Sequence, residues 1–297
     1  MDDLPPALLE DLRDSRCVLW VGAGVSASAG LPNWETFLRH IAACAGIKWV
    51  WGGACDDVQF ELVEAVGRER FVSLMSPILR PESPPSQEFH RLCELMGLAN
   101  FAAIVSTNWD MLLDESGCCS QVAHLGRDDA VIDDVLFKEA HLHDRNSTSS
   151  SRKPILIKLQ GDISHPSTLS LSRSDYALTY AAKSEFLDRL TRRYSIFSIG
   201  RSGGGLVGHD FAACTIGTPP LRMRQFFVCN DLSKEDKQKL AVQGVTALSY
   251  SSQDTNWQGN RMYLEKIVHF TTVSLTHSSS AHCVAAAAAE TLHTGGT

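Results

Sequence analysis

The stretch Cys17-Val18-Leu19-Trp20-Val21-Gly22-Ala23-Gly24-Val25-Ser26-Ala27 decides the fold of this chain. Its first five residues are continuously apolar, which is typical of a parallel strand that is covered on both faces. A turn with the spacing G-x-G-x-x-A follows directly, and this is a variant of the dinucleotide-binding fingerprint. In that pattern Gly22 permits the tight turn, Gly24 lets backbone N–H groups approach a pyrophosphate, and Ala27 packs closely on the sheet. The stretch therefore predicts a nucleotide-binding α/β domain, the alternative being a tight turn in a buried corner.

Short apolar runs elsewhere in the chain predict the rest of the sheet. Longer amphipathic segments lie between them, and this alternation indicates a doubly wound, mostly parallel, Rossmann-like α/β fold with six strands. The predicted strands are Cys17–Val21, Phe101–Thr107, Ile155–Leu159, Ser195–Ile199, Gln225–Cys229 and Val245–Tyr250. The first long helix is expected to begin at Asn33, whose side chain can cap it, and to end at Gly46.

The domain organisation follows from the segments between these strands. One domain is expected over residues 1–275, because its length suits a single α/β domain with an insertion. Helical patterns around Val58–Val66, Phe71–Leu79 and Glu88–Met96 exceed the length of an ordinary βα connection, so residues 52–100 are predicted to be a helical insertion or lid. Residues 144–153 are serine-rich and predict an exposed loop, and residues 276–297 are predicted to be a disordered tail.

Composition and charge exclude several classes of protein. The net charge of −7, from 27 basic and 34 acidic residues, argues against a nucleic-acid partner. No apolar run reaches the ~20 residues that span a bilayer, and the first residues do not resemble a signal peptide, so we expect a cytoplasmic protein without a membrane partner. None of the nine cysteines forms a C-x-x-C pair, so reduced thiols and no metal site are expected.

Two missing patterns narrow the choice of nucleotide. The chain has no G-x-x-x-x-G-K-[ST] sequence, which argues against a nucleoside triphosphate bound by a P-loop. It also lacks an acidic residue at the end of a second strand about 20 residues after the turn, where a dehydrogenase would bind the adenosine ribose. A dinucleotide that is not used for hydride transfer is therefore expected.

Three motifs, in the same order along the chain, resemble those of sirtuin-like domains. The first is G-A-G-V-S-A-S-A-G-L-P-N-W at Gly22–Trp34, and the second is S-T-N-W-D at Ser106–Asp110. The third is K-L-Q-G-D at Lys158–Asp162, followed by S-R-S-D-Y at Ser172–Tyr176. The chain is more similar to the sirtuin-like NAD hydrolases than to the zinc-containing protein deacylases. It lacks their paired-cysteine zinc module, and it has Asn33-Trp34 where they have Asp-Phe-Arg.

The resemblance implies NAD as substrate or ligand, no metal, and hydrolysis of NAD to nicotinamide and ADP-ribose. Because nicotinamide leaves as a neutral molecule, the reaction needs stabilisation of an oxocarbenium-like transition state rather than a general acid. Asn108 would orient the ribose or the attacking water, and Asp110 would support the developing positive charge. The implied cofactor contacts are Gly22, Ala23, Gly24, Ser26, Pro32, Trp34, Thr107, Asn108, Asp110, Gly200 and Ser202.

The chain departs from the family at Gln160, the third implied catalytic position, where the family has a histidine. Glutamine cannot act as a base near neutral pH, and losing general-base help lowers a rate by roughly 10²–10⁴-fold. His141, His143 and His165 are candidates to replace it. We therefore expect weakened NAD hydrolysis, with a catalytically silent NAD- or ADP-ribose-binding or assembly module as the alternative.

Other interpretations are less well supported. The sequence G-R-S-G-G at residues 200–204 fits the G-x-S-x-G pattern of serine hydrolases, but its glycines oppose the helix that must follow the serine. The departure after Pro32 puts an acyl-lysine channel, and hence protein deacylation, in doubt. Because the chain contains no evident regulatory domain, we expect a homo-oligomer or control by a partner. Asp162 is expected to cap a turn.

Overall fold

The computed structural model describes residues 3–49, 55–81, 83–137, 153–200, 224–230, 232–242, 244–250 and 258–272. Seven strands lie in these residues: β1 Cys17–Val21, β2 Ala103–Ser106, β3 Gln121–His124, β4 Ile155–Lys158, β5 Ser195–Ile199, β6 Gln225–Asn230 and β7 Val245–Tyr250. They form one sheet in the order β3-β4-β2-β1-β5-β6-β7, and every neighbouring pair is parallel. The predicted Rossmann-like α/β fold is confirmed.

The predicted number of six strands was wrong, because the sequence analysis missed β3. This strand is only four residues long, and it lies at the edge of the sheet, where it pairs with β4 alone. Its sequence is Gln-Val-Ala-His, with Gln121 exposed and Val122 half-buried. An edge strand this short does not need the continuous apolar run that marks the central strands, so periodicity gave no signal for it.

Helices pack on both faces of the sheet. Their bounds are Pro6–Arg13, Ala23–Ser28, Trp34–Ala45, Cys55–Val66, Arg68–Ile78, Gln87–Leu98, Leu112–Glu115, Asp129–Leu136, Arg173–Arg193 and Lys234–Val242, with a further helix through residues 258–272. The predicted start at Asn33 is confirmed, since its side chain accepts a hydrogen bond of 2.9 Å from the Thr36 N–H. Gly46 ends this helix with a φ of 74°. None of the described helices combines the length and apolar character needed to cross a membrane.

The central strands face two cores, one on each side of the sheet. Leu19 and Val21 of β1 pack with the helices Pro6–Arg13 and Gln87–Leu98. Val18 and Trp20 point the other way and pack with the helices Asp129–Leu136 and Arg173–Arg193. Because both faces are covered, every residue of β1 is buried, which explains its continuous apolar sequence.

A third apolar cluster lies beside the sheet and joins the region after β1 to the later motifs. It contains side chains of the helices Trp34–Ala45, Cys55–Val66 and Arg68–Ile78, together with Trp109 and Leu171. The helix Gln87–Leu98, by contrast, belongs to the core on the sheet itself. The boundaries of a lid therefore stay a prediction. Residues 144–152 of the loop predicted at 144–153, and the predicted tail at residues 276–297, lie outside the described residues.

Candidate active site at the carboxyl edge of the sheet

The strand order reverses at the carboxyl ends of β1 and β5. Strands β2, β3 and β4 lie on one side of β1, and the chain then crosses to β5 on the other side. Ligands of open α/β sheets bind outside the carboxyl ends of the strands at such a point. Gly22 follows β1 and Gly200 follows β5, so two of the residues expected to contact the cofactor lie at this position.

The glycine turn at Gly22–Gly24 packs directly against the end of β5. The N–H of Gly24 donates a hydrogen bond of 2.7 Å to the carbonyl of Gly200. A Cβ atom on Gly24 would lie 2.6 Å from that same carbonyl oxygen, so only glycine fits. The close backbone approach expected of Gly24 is therefore made to β5, and its N–H is bonded to protein. Ala23 begins the short helix Ala23–Ser28.

Ser26 connects the glycine turn to the second motif. Its hydroxyl donates a hydrogen bond of 2.7 Å to Asp110 Oδ2 and accepts one of 2.9 Å from Asn108 Nδ2. Asn108 Nδ2 also donates to the carbonyl of Gly22 at 3.1 Å. The three side chains are buried, and so a connected polar network lies beside the glycine turn. Two of the predicted catalytic residues, Asn108 and Asp110, belong to this network.

Aromatic side chains lie next to the same two motifs. The rings of Trp34 and Trp109 meet edge to face with their centroids 5.0 Å apart, and Trp34 stacks on Phe37 at 5.3 Å. Trp109 is buried, whereas Trp34 is half-buried. Pro32 is also half-buried, and the Thr107 N–H bonds to the carbonyl of Val21 at the end of β1. Trp34, Pro32 and Thr107 thus lie along the first two motifs, and their contact with a cofactor stays a prediction.

The third motif is bonded to the second through a buried lysine. Lys158 Nζ donates to the backbone carbonyl of Asp110 at 2.6 Å and to Asp114 Oδ2 at 3.1 Å, and the Lys158 side chain is 1% exposed. Burial raises the pKa of the Asp114 carboxyl above its ordinary value, and the charge of Lys158 offsets only part of that effect. The lysine therefore fixes the backbone that carries Asp110.

Gln160 and Gly161 form a sharp bend directly after β4. The Gln160 side chain is buried, and its backbone carbonyl accepts a hydrogen bond of 3.1 Å from the Ser170 N–H. Gly161 has a φ of 75°, and an added Cβ atom would collide with the carbonyl of Thr168. Only glycine fits here, so the bend places Gln160 at the carboxyl edge beside the second motif.

Sequence reasoning missed His124, which the last residue of β3 contributes to the same edge. Its Nε2 lies in hydrogen-bond contact with Asp162 Oδ2, and its Nδ1 lies 2.6 Å from an Arg127 guanidinium nitrogen. Since a guanidinium can only donate, Nδ1 must accept, and this assigns the ring proton to Nε2, facing Asp162. Periodicity could not reveal His124, because the strand that carries it has no apolar pattern.

Asp162 caps the turn that follows it, as the sequence predicted. Its Oδ1 accepts hydrogen bonds from the Ser164 N–H at 2.9 Å, the Ser164 hydroxyl at 2.6 Å and the His165 N–H at 3.0 Å. Burial alone would raise the pKa of Asp162. Hydrogen bonds from Ser164 and His124, together with the charge of Lys158, outweigh burial and place the pKa below its ordinary value. Asp162 is therefore an ionised side chain held by its own loop.

His124, Asp162 and His165 form the group of side chains with the geometry closest to a metal site among the described residues. Their possible ligand atoms lie within 4.8 Å of one another. His165, one of the proposed replacements for a catalytic histidine, is exposed, and its Nδ1 lies 3.3 Å from Asp162. The proton assigned to His124 Nε2 occupies the position a metal would take, so the group is explained by hydrogen bonding. His141, His143 and Ser202 lie outside the described residues.

The helical region after β1 is tied to the third motif by two polar side chains. Arg68 donates to the carbonyls of Pro166 at 3.0 Å and Leu169 at 2.9 Å, and it also pairs with the Asp175 carboxylate. Gln59 is buried and donates to the carbonyl of Leu171 at 2.7 Å. The loop after Asp162 is thus held from outside the sheet, by helices that precede β2 in the sequence.

Comparison with known proteins agrees with this arrangement. Residues 102–204 match the family model of the SIR2-like domain, and the match supports a sirtuin-like family with a function related to NAD. The matched region contains β2, β3, β4 and β5, and with them Asn108, Asp110 and Gln160. A search of the curated proteins found no match.

Proposed function

We propose that this protein binds NAD at the carboxyl edge of β1, β2 and β5 and hydrolyses it slowly to nicotinamide and ADP-ribose. The observation that carries the proposal is the hydrogen-bonded link from Ser26 to Asn108 and Asp110. This link joins the glycine turn to the two polar side chains that a reaction at the ribose requires. The family match supports the use of NAD and leaves the type of reaction to experiment.

The hydrogen bonds of Asn108 define how its side chain would act. Both protons of Nδ2 are donated to protein, one to Gly22 and one to Ser26. A ribose hydroxyl or a water molecule would therefore meet the carbonyl oxygen Oδ1, which can only accept a hydrogen bond. Asn108 would orient an O–H group of the ribose or of the attacking water.

Asp110 would supply the negative charge for the transition state. Its carboxylate is buried, with Ser26 on one oxygen and the Leu112 N–H at 3.1 Å on the other. A carboxylate fixed in this way needs no reorganisation when positive charge develops on the ribose, and such fixed charges are the largest single source of stabilisation in many enzymes. The same hydrogen bond to Leu112 caps the following turn, so one side chain serves both purposes.

Gln160 makes the proposed reaction slow. Glutamine offers hydrogen bonds to the ribose hydroxyls but accepts no proton near neutral pH. Both ring nitrogens of His124 are engaged, by Asp162 and Arg127, so this histidine does not replace the missing base. Hydrolysis would then depend on stabilisation of the cation, at a rate roughly 10²–10⁴-fold below that of a site with a base.

The test is NAD consumption by the purified full chain, followed by chromatography of nicotinamide and ADP-ribose. We expect slow turnover by the wild type, loss of turnover in Asn108→Ala and acceleration in Gln160→His. Asn100→Ala is the matched control. Asn100 donates to the carbonyl of Leu12, and it precedes β2, at the opposite edge of the sheet. It should lower stability without changing turnover by the folded protein.

The same experiment distinguishes the other functions. If neither the wild type nor Gln160→His consumes NAD while NAD or ADP-ribose still raises the melting temperature, the chain is a binding module and the enzymatic proposal fails. Release of the acyl group from an acylated lysine peptide would indicate a deacylase instead. Self-association or control by a partner stays a prediction, tested by measuring turnover against the molar mass of the protein in solution.

A further inference from the structure

Three cysteines form a cluster at the junction of a core helix and the segment before β3. The sulfurs of Cys118 and Cys119 are 3.4 Å apart, and Cys93 on the helix Gln87–Leu98 belongs to the same core cluster as Cys118. Gly97, one turn beyond Cys93, lets the Cys118 backbone approach, since an added Cβ would lie 3.1 Å from the Cys118 carbonyl oxygen. The cluster has no part in the proposed NAD site.

The surroundings of Cys118 favour its thiolate form. Hydrogen bonds from Cys119, from Cys93 and from Ser116, whose hydroxyl lies 3.1 Å from the sulfur, hold the pKa of Cys118 below its ordinary value against the effect of burial. The pKa values of Cys93 and Cys119 are raised, because each interacts with Cys118 and is buried. One nucleophilic sulfur is thus held between two thiols that keep their protons.

We propose that Cys118 is a site of oxidation by hydrogen peroxide and that Cys93 resolves the product to a Cys93–Cys118 disulfide. In the first step the Cys118 thiolate attacks one peroxide oxygen, an S–O bond forms and the O–O bond breaks. The departing hydroxide takes a proton and becomes water. In the second step Cys93 loses its proton and attacks the Cys118 sulfenic acid, an S–S bond forms, and the S–O bond breaks to release a second water.

Geometry favours Cys93 over Cys119 as the resolving residue. Consecutive Cα atoms are about 3.8 Å apart, whereas the Cα atoms of a disulfide are usually about 4.4–6.8 Å apart. A bond between Cys118 and Cys119 would therefore distort the intervening peptide. Cys93 belongs to a different element, so it can close the bond without this strain.

The size of the reagent should decide access to Cys118. The residue is 5% exposed, and Cys119 is the half-buried member that lies nearer to solvent. Hydrogen peroxide is hardly larger than water, whereas aromatic disulfide reagents are far bulkier. We therefore expect peroxide to react and bulky reagents to be slow, a pattern that the exposed Cys44 would not show.

The experiment treats the reduced full chain with hydrogen peroxide at mildly acidic pH, blocks the remaining thiols and identifies cross-linked peptides by mass spectrometry. Because the thiolate is the form that attacks peroxide and the surroundings of Cys118 favour it, we expect Cys118 to react about tenfold faster than Cys44. Wild type should give a Cys93–Cys118 cross-link. Cys93→Ala should stop at a sulfenic acid on Cys118, which dimedone traps once the chain is unfolded in urea. Cys119→Ala should still form the cross-link more slowly.

Cys44→Ser is the matched control and should form the cross-link at the wild-type rate, because Cys44 lies outside the cluster. A Cys118–Cys119 bond in the wild-type digest would overturn the assignment of the resolving residue. Faster oxidation of Cys44 than of Cys118 would overturn the whole proposal. The wild-type digest decides between these outcomes even if a variant fails to fold, and it requires no NAD, so it does not depend on the proposed enzymatic function.

Discussion

Asp110 and Asp162 follow neighbouring parallel strands in similar motifs, but the fold uses them differently. The two oxygens of Asp110 accept one hydrogen bond each, and one of these comes from Ser26 in the glycine turn. Asp162 is completely buried and accepts at least four, from His124 and from the loop that it caps. The comparison teaches that a carboxylate at the edge of a sheet is a functional candidate only where it still connects to the cofactor motif.

The largest expected change in the free energy of unfolding comes from replacing Asp162. Asp162→Ala would remove the acceptor of the buried His124 N–H and of the N–H and hydroxyl of Ser164. Each buried donor that loses its acceptor lowers the free energy of unfolding by about 1–3 kcal/mol, and by more where the lost partner is charged. Urea denaturation measures this change in the free energy of unfolding. Asp110→Ala, which loses two hydrogen bonds, should destabilise the fold less, and an equal loss in both variants would contradict the distinction.

Gly24→Ala should have the next largest effect on stability. It changes the glycine turn, which Ser26 joins to Asp110. The new Cβ would collide with the backbone of Gly200, which can move only together with β5. Overpacking of this kind destabilises by about 1–3 kcal/mol. We also expect NAD to stop raising the melting temperature. In the control Gly46→Ala the φ of 74° is strained but no atom lies within 4 Å, so NAD should still bind. Normal NAD binding by Gly24→Ala would show that the glycine turn is not part of the cofactor site.

Ser26→Ala should produce a smaller change in stability. It removes the hydroxyl that joins Asn108 to Asp110, and the loss of such a hydrogen bond is worth about 0.5–1.5 kcal/mol. Turnover of NAD should nevertheless fall sharply, because both side chains lose a positioning partner. Thermal unfolding and the NAD assay, run side by side, measure the two effects. The control Ser73→Ala changes an exposed helical serine, and both measurements should stay at the wild-type level.

The smallest expected effect is the dependence of the unfolding free energy on pH. The pKa of Asp162 is lowered in the folded chain, so the stabilisation from its carboxylate is fully present above the unfolded value of about 3.9 and is lost as pH falls towards the folded value. The difference in unfolding free energy between wild type and Asp162→Asn should therefore be constant from about pH 7 to 5 and decrease towards about pH 3. Asp114→Asn should show the opposite trend, because burial raises the pKa of Asp114.

The sequence predicted the parts of the molecule that depend on local pattern. The bounds of β1, β5 and β7 agree with the predicted ones. β1 is a continuous apolar run, whereas β5 and β7 carry serine or threonine among their apolar residues. Asn33 and Gly46 mark a helix through capping chemistry that three or four residues determine. The glycine turn was also predictable, since its spacing reflects the geometry of one strand and one helix.

The missing parts depend on contacts between distant segments. β3 lies at the edge of the sheet with two residues that are not buried, so its pattern could not reveal His124 or the contact of His124 with Asp162. Nothing in the sequence indicated that the N–H of Gly24 would bond to Gly200, which lies 176 residues later, because such a pairing exists only after β5 is placed beside β1. Likewise, Lys158 could be read as part of a motif but not as the support of the Asp110 backbone.

The contacts of Arg68 and Gln59 restrict how this protein can be recombined with relatives. The segment from Gly161 to Asp175 resembles a self-contained exchangeable loop in the sequence, yet its carbonyls at Pro166, Leu169 and Leu171 are bonded to helices that lie before β2. A chimera that imports this loop alone would leave these carbonyls without the donors Arg68 and Gln59. The natural unit of exchange is therefore discontinuous: the two helices Cys55–Val66 and Arg68–Ile78 have to be transferred together with the loop after Asp162.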